Sequence, residues 1–318
     1  MEFNHFSCCD QFEMLINLSG YASAIYLFFG VIFSATVIYI LQKINNLYKQ
    51  NYARDKIFYS TCSSDHCFRC AMDENKQHLI KRKLKHVCNS MPVENISKLK
   101  RITSSIRSIS SSDTETPDYC FYLKNLPTEP WFGGNLDLQL CLENVENCFE
   151  IICKETFSSF LTLPDKNWVT NTTHSGTWKI LYLMNQGAPV AENIQHFTRT
   201  ISILKSSLKC YFMENCVFGN VGISVVQPDT SIAPHKGPTN CRLRCHLGLE
   251  IPTGNDCYII VENQRKLWTT GKCTLFDDSF RHSVVNYSSQ KRIVLLFDLW
   301  HQNLNDVEIE VLQKAFSR

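Results

Sequence analysis

Cys241-Arg242-Leu243-Arg244-Cys245-His246-Leu247-Gly248-Leu249 alternates with a period of two. On an extended strand successive side chains point to opposite faces, so the cysteines and leucines share one face and Arg242, Arg244, His246 and Gly248 the other. A face with two arginines and a histidine either meets water or lines an anion pocket. Similar short runs surround it from about Phe218 onward: Gly222 to Val226, Cys257 to Val261, Thr274 to Phe276 and Ile293 to Leu299, with turn residues between them. Strands of that length and spacing predict a sandwich or a double-sheet jelly roll. Upstream, Trp178 to Asn185 reads as a buried strand ending at Gln186-Gly187. Between Leu136 and Leu161 apolar residues recur at helical intervals (Leu138, Cys141, Leu142, Val145, Cys148, Phe149, Ile152), which predicts one amphipathic helix packed on a sheet.

Within this mainly β region with flanking helices, His235 lies in Pro234-His235-Lys236-Gly237-Pro238 and His282 follows Asp277-Asp278. Taken singly, each histidine reads as a hydrogen-bonded structural residue. The two aspartates read as turn residues or as acceptors for a ligand imidazole. Taken together with Arg292, which opens the next apolar strand, the histidines have the layout that an iron oxygenase needs. Two imidazoles can hold Fe(II), and a guanidinium can grip the far carboxylate of a 2-oxo acid.

The rest of the chain bounds this reading. Its 318 residues leave room for one or two domains, and Lys+Arg 32 against Asp+Glu 30 gives no electrostatic signature for nucleic acid. Sixteen cysteines are many, but below the density of a small disulfide scaffold. No residue between Glu13 and Lys43 is charged, and Tyr21 to Leu41 is long enough to cross a hydrocarbon layer of roughly 30 Å as a helix. A short acidic, cysteine-bearing start argues against a cleaved signal peptide. The expected organisation is a tail over 1–20, a transmembrane helix over 21–42 acting as a signal-anchor, a stem and Ser-rich linker over 43–116, and a catalytic domain over 117–318. In the stem, Cys62-Ser63-Ser64-Asp65-His66-Cys67-Phe68-Arg69-Cys70 has a zinc-knuckle spacing, with disulfides or free thiols as the alternatives. Ile96 to Asp113 reads as a flexible linker. Lysines and arginines after the span place the long C-terminal part in the cytosol by the positive-inside tendency. Sequons at Asn95, Asn171 and Asn286 suit a lumenal glycoprotein instead.

Three longer motifs add a resemblance: HKGPTNCRLRCHLGL from His235 to Leu249, LFDDSFRH from Leu275 to His282, and FDLWH from Phe297 to His301. On these, the C-terminal two hundred or so residues resemble the aspartyl/asparaginyl β-hydroxylase domain. With its anchor and stem, the whole chain resembles the aspartate β-hydroxylase domain-containing proteins. The resemblance implies a double-stranded β-helix, or jelly roll, that uses Fe(II), 2-oxoglutarate and O2 to hydroxylate a polypeptide side chain, Asp or Asn by analogy. It implies that His235 and His282 are the iron ligands, that Arg292 pairs with the distal carboxylate of 2-oxoglutarate, and that Trp178, Ser224, Arg244 and His246 are further cosubstrate contacts. It also favours a catalytic domain in the endoplasmic reticulum lumen or another secretory compartment. Oxygenases commonly read His-x-Asp at the first ligand; here Gly237 replaces the carboxylate. The hydroxylase has the same glycine, so the departure does not by itself imply inactivity. The hydroxylase's long helical-repeat region has no counterpart here, which leaves substrate choice open. A catalytically silent jelly-roll binding or scaffold protein is the competing expectation.

Overall fold

Short alternating and fully apolar strands build two sheets. The computed structural model describes residues 36–43, 67–108 and 119–318, in a chain with two compact units, Met1–Phe58 and Tyr59–Arg318. In the first unit the described residues 36–43 are helical and exposed. Most of the expected transmembrane helix over 21–42 lies outside the described residues, as do Cys62 and His66 of the stem. Among the described residues no helix is long and apolar enough to cross a membrane.

Among the described residues the second unit carries eleven strands: β1 (Val169–Asn171), β2 (Trp178–Asn185), β3 (Ala188–Pro189), β4 (Val221–Val226), β5 (Thr230–His235), β6 (Arg242–Glu250), β7 (Cys257–Val261), β8 (Gln264–Lys266), β9 (Cys273–Phe276), β10 (His282–Asn286) and β11 (Arg292–Trp300). Seven form a large sheet in the order β1-β2-β4-β11-β6-β9, with β3 on β2. Four form a small sheet in the order β5-β10-β7-β8. The non-sequential order, with every named pairing antiparallel, is that of a jelly roll.

Helices α3 (Leu136–Glu146), α4 (Phe149–Thr162) and α5 (Thr198–Leu208) cover the outer face of the large sheet. Their Leu138, Val145, Ile152 and Leu204 join Leu243, Cys245, Leu247, Leu295 and Phe297 in one buried cluster. The other face of the same strands turns inward and carries Arg242, Arg244, His246 and Arg292, as the period of two requires. The expected single helix over Leu136–Leu161 is two. Asn147 caps α3, and the N–H of Cys148 bonds Val145 O, three residues back rather than four. That tightening turns the chain and lets α4 begin on a new axis.

The described part of the stretch expected to be a stem and flexible linker, residues 67–108, is packed within the second unit. Helix α1 (Glu74–Asn89) and helix α2 (Lys100–Ser108) pack with the C-terminal helix α6 (Asp306–Ala315). Leu84, Leu99, Ile102 and Ile106 sit in a core with Phe121, Trp300, Val311 and Phe316. The serines mask an apolar stripe at Leu99, Ile102 and Ile106, spaced three and four apart on one helical face. Arg101 adds a bidentate pair to buried Glu308, Nε to Oε1 at 2.8 Å and Nη2 to Oε2 at 2.5 Å. Glu308 also completes a capping box with Asn305 at the start of α6. A chain that begins at Pro117 would therefore strip α1 and α2 from this core. Its thermal transition, followed by circular dichroism, is expected to be broader and lower than that of the full chain; an unchanged transition would refute the packing role.

The sequons fare differently. Asn286 is fully buried, and its Nδ2 donates to Val226 O, Gln227 O and Gln290 O. Nδ2 of Asn171 is buried as well. A glycan at either is incompatible with this packing, which leaves half-buried Asn95.

Candidate active site

The two histidines expected to act together are direct cross-strand partners. His235 ends β5, His282 begins β10, and their Cα positions pair in the antiparallel register. A register shift follows between His282 and Val284, and the imidazole centroids lie 4.2 Å apart. Each ring is held the same way: Nδ1 of His235 is 2.9 Å from Ala233 O, and Nδ1 of His282 is 2.9 Å from Phe280 O. A carbonyl only accepts, so Nδ1 carries the proton and the lone pair is on Nε2 in both rings. Burial pushes the pKa of His235 down to about 4 and that of His282 well below its ordinary value. Both rings are thus neutral near neutral pH, the form that binds a metal. Among the described residues no group of three or more His, Cys, Asp or Glu is arranged for a metal. The donors that the described residues could bring together here are the two imidazoles.

Gly237 explains why a third donor is missing. A Cβ there would stand 2.5 Å from Cγ and Oδ1 of Asp278 and 2.6 Å from its Oδ2. The carboxylate of Asp278 thus fills the space that a side chain at 237 would enter. Its charge is balanced: Arg242 donates Nε to Oδ1 at 3.0 Å and Nη2 to Oδ2, and Nη1 of Arg244 lies 3.4 Å from Oδ2. Burial alone would raise the Asp278 pKa, but the two guanidinium groups outweigh it and hold the carboxyl well below the usual range. Asp298, on β11, completes the cluster through Arg244, with Nε to Oδ1 at 2.8 Å and Nη2 to Oδ2 at 3.0 Å. Arg244, expected as a cosubstrate contact, is thus engaged by two aspartates, because its partner across the sheet is Asp298 itself.

The other expected contacts meet deeper in the barrel. Arg292 is 1% exposed, and Nη1 donates to Ser224 O and Oγ at 3.4 and 3.3 Å. The indole of Trp178 donates to the same Ser224 Oγ at 3.0 Å. Trp178 also borders His235, with centroids 6.5 Å apart. His246 lies edge-on to Phe276 at 5.1 Å, and Phe276 reaches His282 at 5.5 Å. A residue not singled out from sequence links the two halves. Trp268 sits in the loop between β8 and β9, with Nε1 3.3 Å from Nδ1 of His246 and its ring 4.8 Å from the Arg292 guanidinium. Its only sequence signal is an indole in the short loop Leu267-Trp268-Thr269-Thr270-Gly271-Lys272. The contacts close into a ring: Trp178, Ser224, Arg292, Trp268, His246, Phe276, His282, His235 and back to Trp178.

Two features of this ring point to an anion. No acidic side chain pairs with Arg292 among the described residues, and its Nε is buried without a hydrogen-bond partner. Burial depresses its pKa to about 10, the direction expected for a cation without a counter-charge. His246 Nε2 is likewise buried and unpartnered. A buried cation beside an orphaned donor costs several kcal/mol unless something negative fills the space. A carboxylate fits both. The donor sets therefore suit two neighbouring guests, a metal at the imidazoles and a carboxylate at Arg292.

A cavity of about 340 Å³ opens on His235 and is lined by Trp178, Ile180, Tyr182, Gly237, Arg244 and Asp278. Its outer wall includes Cys67, Phe68 and Arg69. Arg69 Nη1 donates to Lys236 O at 2.5 Å, and Phe68 N–H to Gln186 Oε1 at 2.8 Å. The Phe68 ring sits edge-on to Phe218 and Phe316. The segment before α1, expected in a separate stem, thus forms part of the rim. A larger cavity, about 690 Å³, lies on the far side of the sheet against α3 and touches neither histidine.

The fold and the site define a jelly-roll protein with paired imidazoles above a buried cation. Residues 152–302 match the family model for aspartyl/asparaginyl β-hydroxylase. The chain is 35% identical over 269 residues to human aspartate beta-hydroxylase domain-containing protein 2, covering 81% of this chain and 71% of that protein. The Xenopus tropicalis protein of that name matches at the same identity and coverage. Human aspartyl/asparaginyl beta-hydroxylase is 37% identical over 193 residues, 58% of this chain and 24% of that protein. The chain belongs to the aspartate β-hydroxylase domain-containing protein family.

Proposed function

We propose that the chain is an Fe(II)- and 2-oxoglutarate-dependent dioxygenase that hydroxylates a polypeptide side chain, with Asp or Asn suggested by the names of its relatives. The observation that carries this reading is the unpaired, buried Arg292 in the same ring of contacts as the two cross-strand imidazoles. His235 and His282 would hold the iron through Nε2. Arg292, Ser224 and His246 would take the distal carboxylate of 2-oxoglutarate, with Trp178 fixing the Ser224 hydroxyl. Arg244 would act from within its aspartate cluster, presenting positive charge to the cavity. When bound, iron and cosubstrate couple loss of carbon dioxide and formation of succinate to insertion of one oxygen of O2 into a substrate C–H bond. The protein's own share is to hold these groups apart from water and in register.

Full chain supplied with Fe(II) and 2-oxoglutarate should form succinate. Absence of succinate, with a protein partner still captured by the His282→Ala form, would favour the silent binding protein instead. Arg292→Ala should raise the 2-oxoglutarate concentration for half-maximal turnover roughly a hundredfold, as loss of a charged hydrogen-bonding partner does, and leave the iron requirement nearly unchanged. Equal loss of both would mean that the arginine is structural.

The uncharged run between Glu13 and Lys43 supports a further part of this reading, a single membrane anchor; the family resemblance, against the charge count, favours the catalytic unit in a secretory lumen. On alkaline carbonate extraction the chain should stay with the membrane, and protease added to sealed vesicles should spare residues 67–318. Release by carbonate would remove the anchor, and digestion would reverse the sidedness.

A further inference from the structure

We infer that Trp268 is a positioning residue for the cosubstrate: its indole fixes the His246 tautomer so that Nε2–H points at the ligand carboxylate. This rests on the proposed 2-oxoglutarate site. An indole N–H can only donate, so at 3.3 Å from His246 Nδ1 it requires that nitrogen to accept. His246 is neutral, because burial first and the neighbouring guanidinium groups next hold its pKa well below the ordinary value. A neutral imidazole has one proton, and with Nδ1 accepting, that proton must reside on Nε2. This is the nitrogen that is buried with no partner. The arrangement thus leaves a buried donor that an anionic oxygen would satisfy, on a ring that feels the Arg292 charge.

The indole has a second contact. Its face lies 4.8 Å from the Arg292 guanidinium, near enough for cation–π attraction. Trp268 is itself buried, 4% exposed, in the apolar cluster of the barrel interior. One side chain therefore sets the direction of one donor and supports the charge of the other. Phenylalanine would retain most of the face under Arg292 and lose the N–H, which separates the two contacts.

The test uses the full chain and two readouts. Trp268→Phe should weaken 2-oxoglutarate binding about tenfold by calorimetry, the effect of losing one oriented hydrogen bond in a buried site. Nitrogen NMR with labelled histidine should show His246 as the Nε2–H tautomer in the native chain and as a mixture in the variant, a change that a purely structural tryptophan would not produce. Unaltered affinity with an unaltered tautomer would overturn the inference. A proton on Nδ1 in the native chain would overturn it by itself, and that measurement decides the matter if the variant does not fold. Should the native chain bind no 2-oxoglutarate, the cosubstrate assignment fails, and with it the ligand role of Trp268. The tautomer would then report only on the indole–imidazole bond.

Discussion

Replacement of His282 by alanine is expected to remove metal retention and succinate formation together, with turnover falling on the order of a thousandfold or more. The reason is the size of the donor set. A site with three protein ligands can lose one and keep a chelating pair. In the proposed site the described residues offer His235 and His282, and Gly237 offers nothing, so the variant would be left with a single imidazole. Stability should change little. The main-chain partners of His282 in β5 and β7 do not involve its ring. The ring itself gives up one Nδ1–H bond to Phe280 O, about 1 kcal/mol, plus the packing against Phe276. Anaerobic calorimetry with Fe(II) checks the first part and thermal unfolding the second. Metal affinity that survives in His282→Ala would mean that the ion is bound elsewhere.

The site was legible because it lies on strands. A period of two sorts residues onto faces without any tertiary information. That is how Arg242, Arg244 and His246 separate from Leu243, Cys245 and Leu247, and the structure places the two sets on opposite sides of β6. The histidine pair needed more. Neither β5 nor β10 stands out in the sequence, since Thr230-Ser231-Ile232-Ala233-Pro234-His235 and His282-Ser283-Val284-Val285-Asn286 are short and mix polar with apolar residues. Only the antiparallel register puts His235 opposite His282. Arg244 shows the limit of reading one strand at a time: its residue type suggested an anion partner, and that partner is Asp298 on the neighbouring strand. The buried helix α2 was hidden for a different reason. Its serines made the composition look like a linker, whereas the stripe formed by Leu99, Ile102 and Ile106 decides its fate. Trp268 could not have been found, because nothing in a short loop says where an indole will reach.

Restoring a carboxylate at position 237 should cripple the protein rather than complete its metal site. A Cβ at 237 meets the Asp278 carboxylate at 2.5 Å, closer than real side chains approach. Asp278 cannot swing away, since buried Arg242 holds both of its oxygens and half-buried Arg244 faces one of them. Nor can the backbone retreat freely, because Gly237 N–H donates to Asp278 O. Gly237→Ala is therefore expected to cost about 3–5 kcal/mol, the usual penalty for breaking a buried charge pair, and to lower the melting temperature by roughly 10 °C. Gly237→Asp adds a second carboxylate beside the first, and two such groups cannot both stay ionised in one buried site, so one of them must retain a proton. The double variant Gly237→Asp with Asp278→Gly exchanges the positions of side chain and space. It should recover much of the lost melting temperature, because the collision is gone and the introduced carboxylate joins Asp298 in facing the two arginines. Thermal unfolding of the three variants decides the case. If Gly237→Ala melts with the native chain, the carboxylate of Asp278 is free to move, and the two-histidine donor set is a matter of chemistry rather than of space.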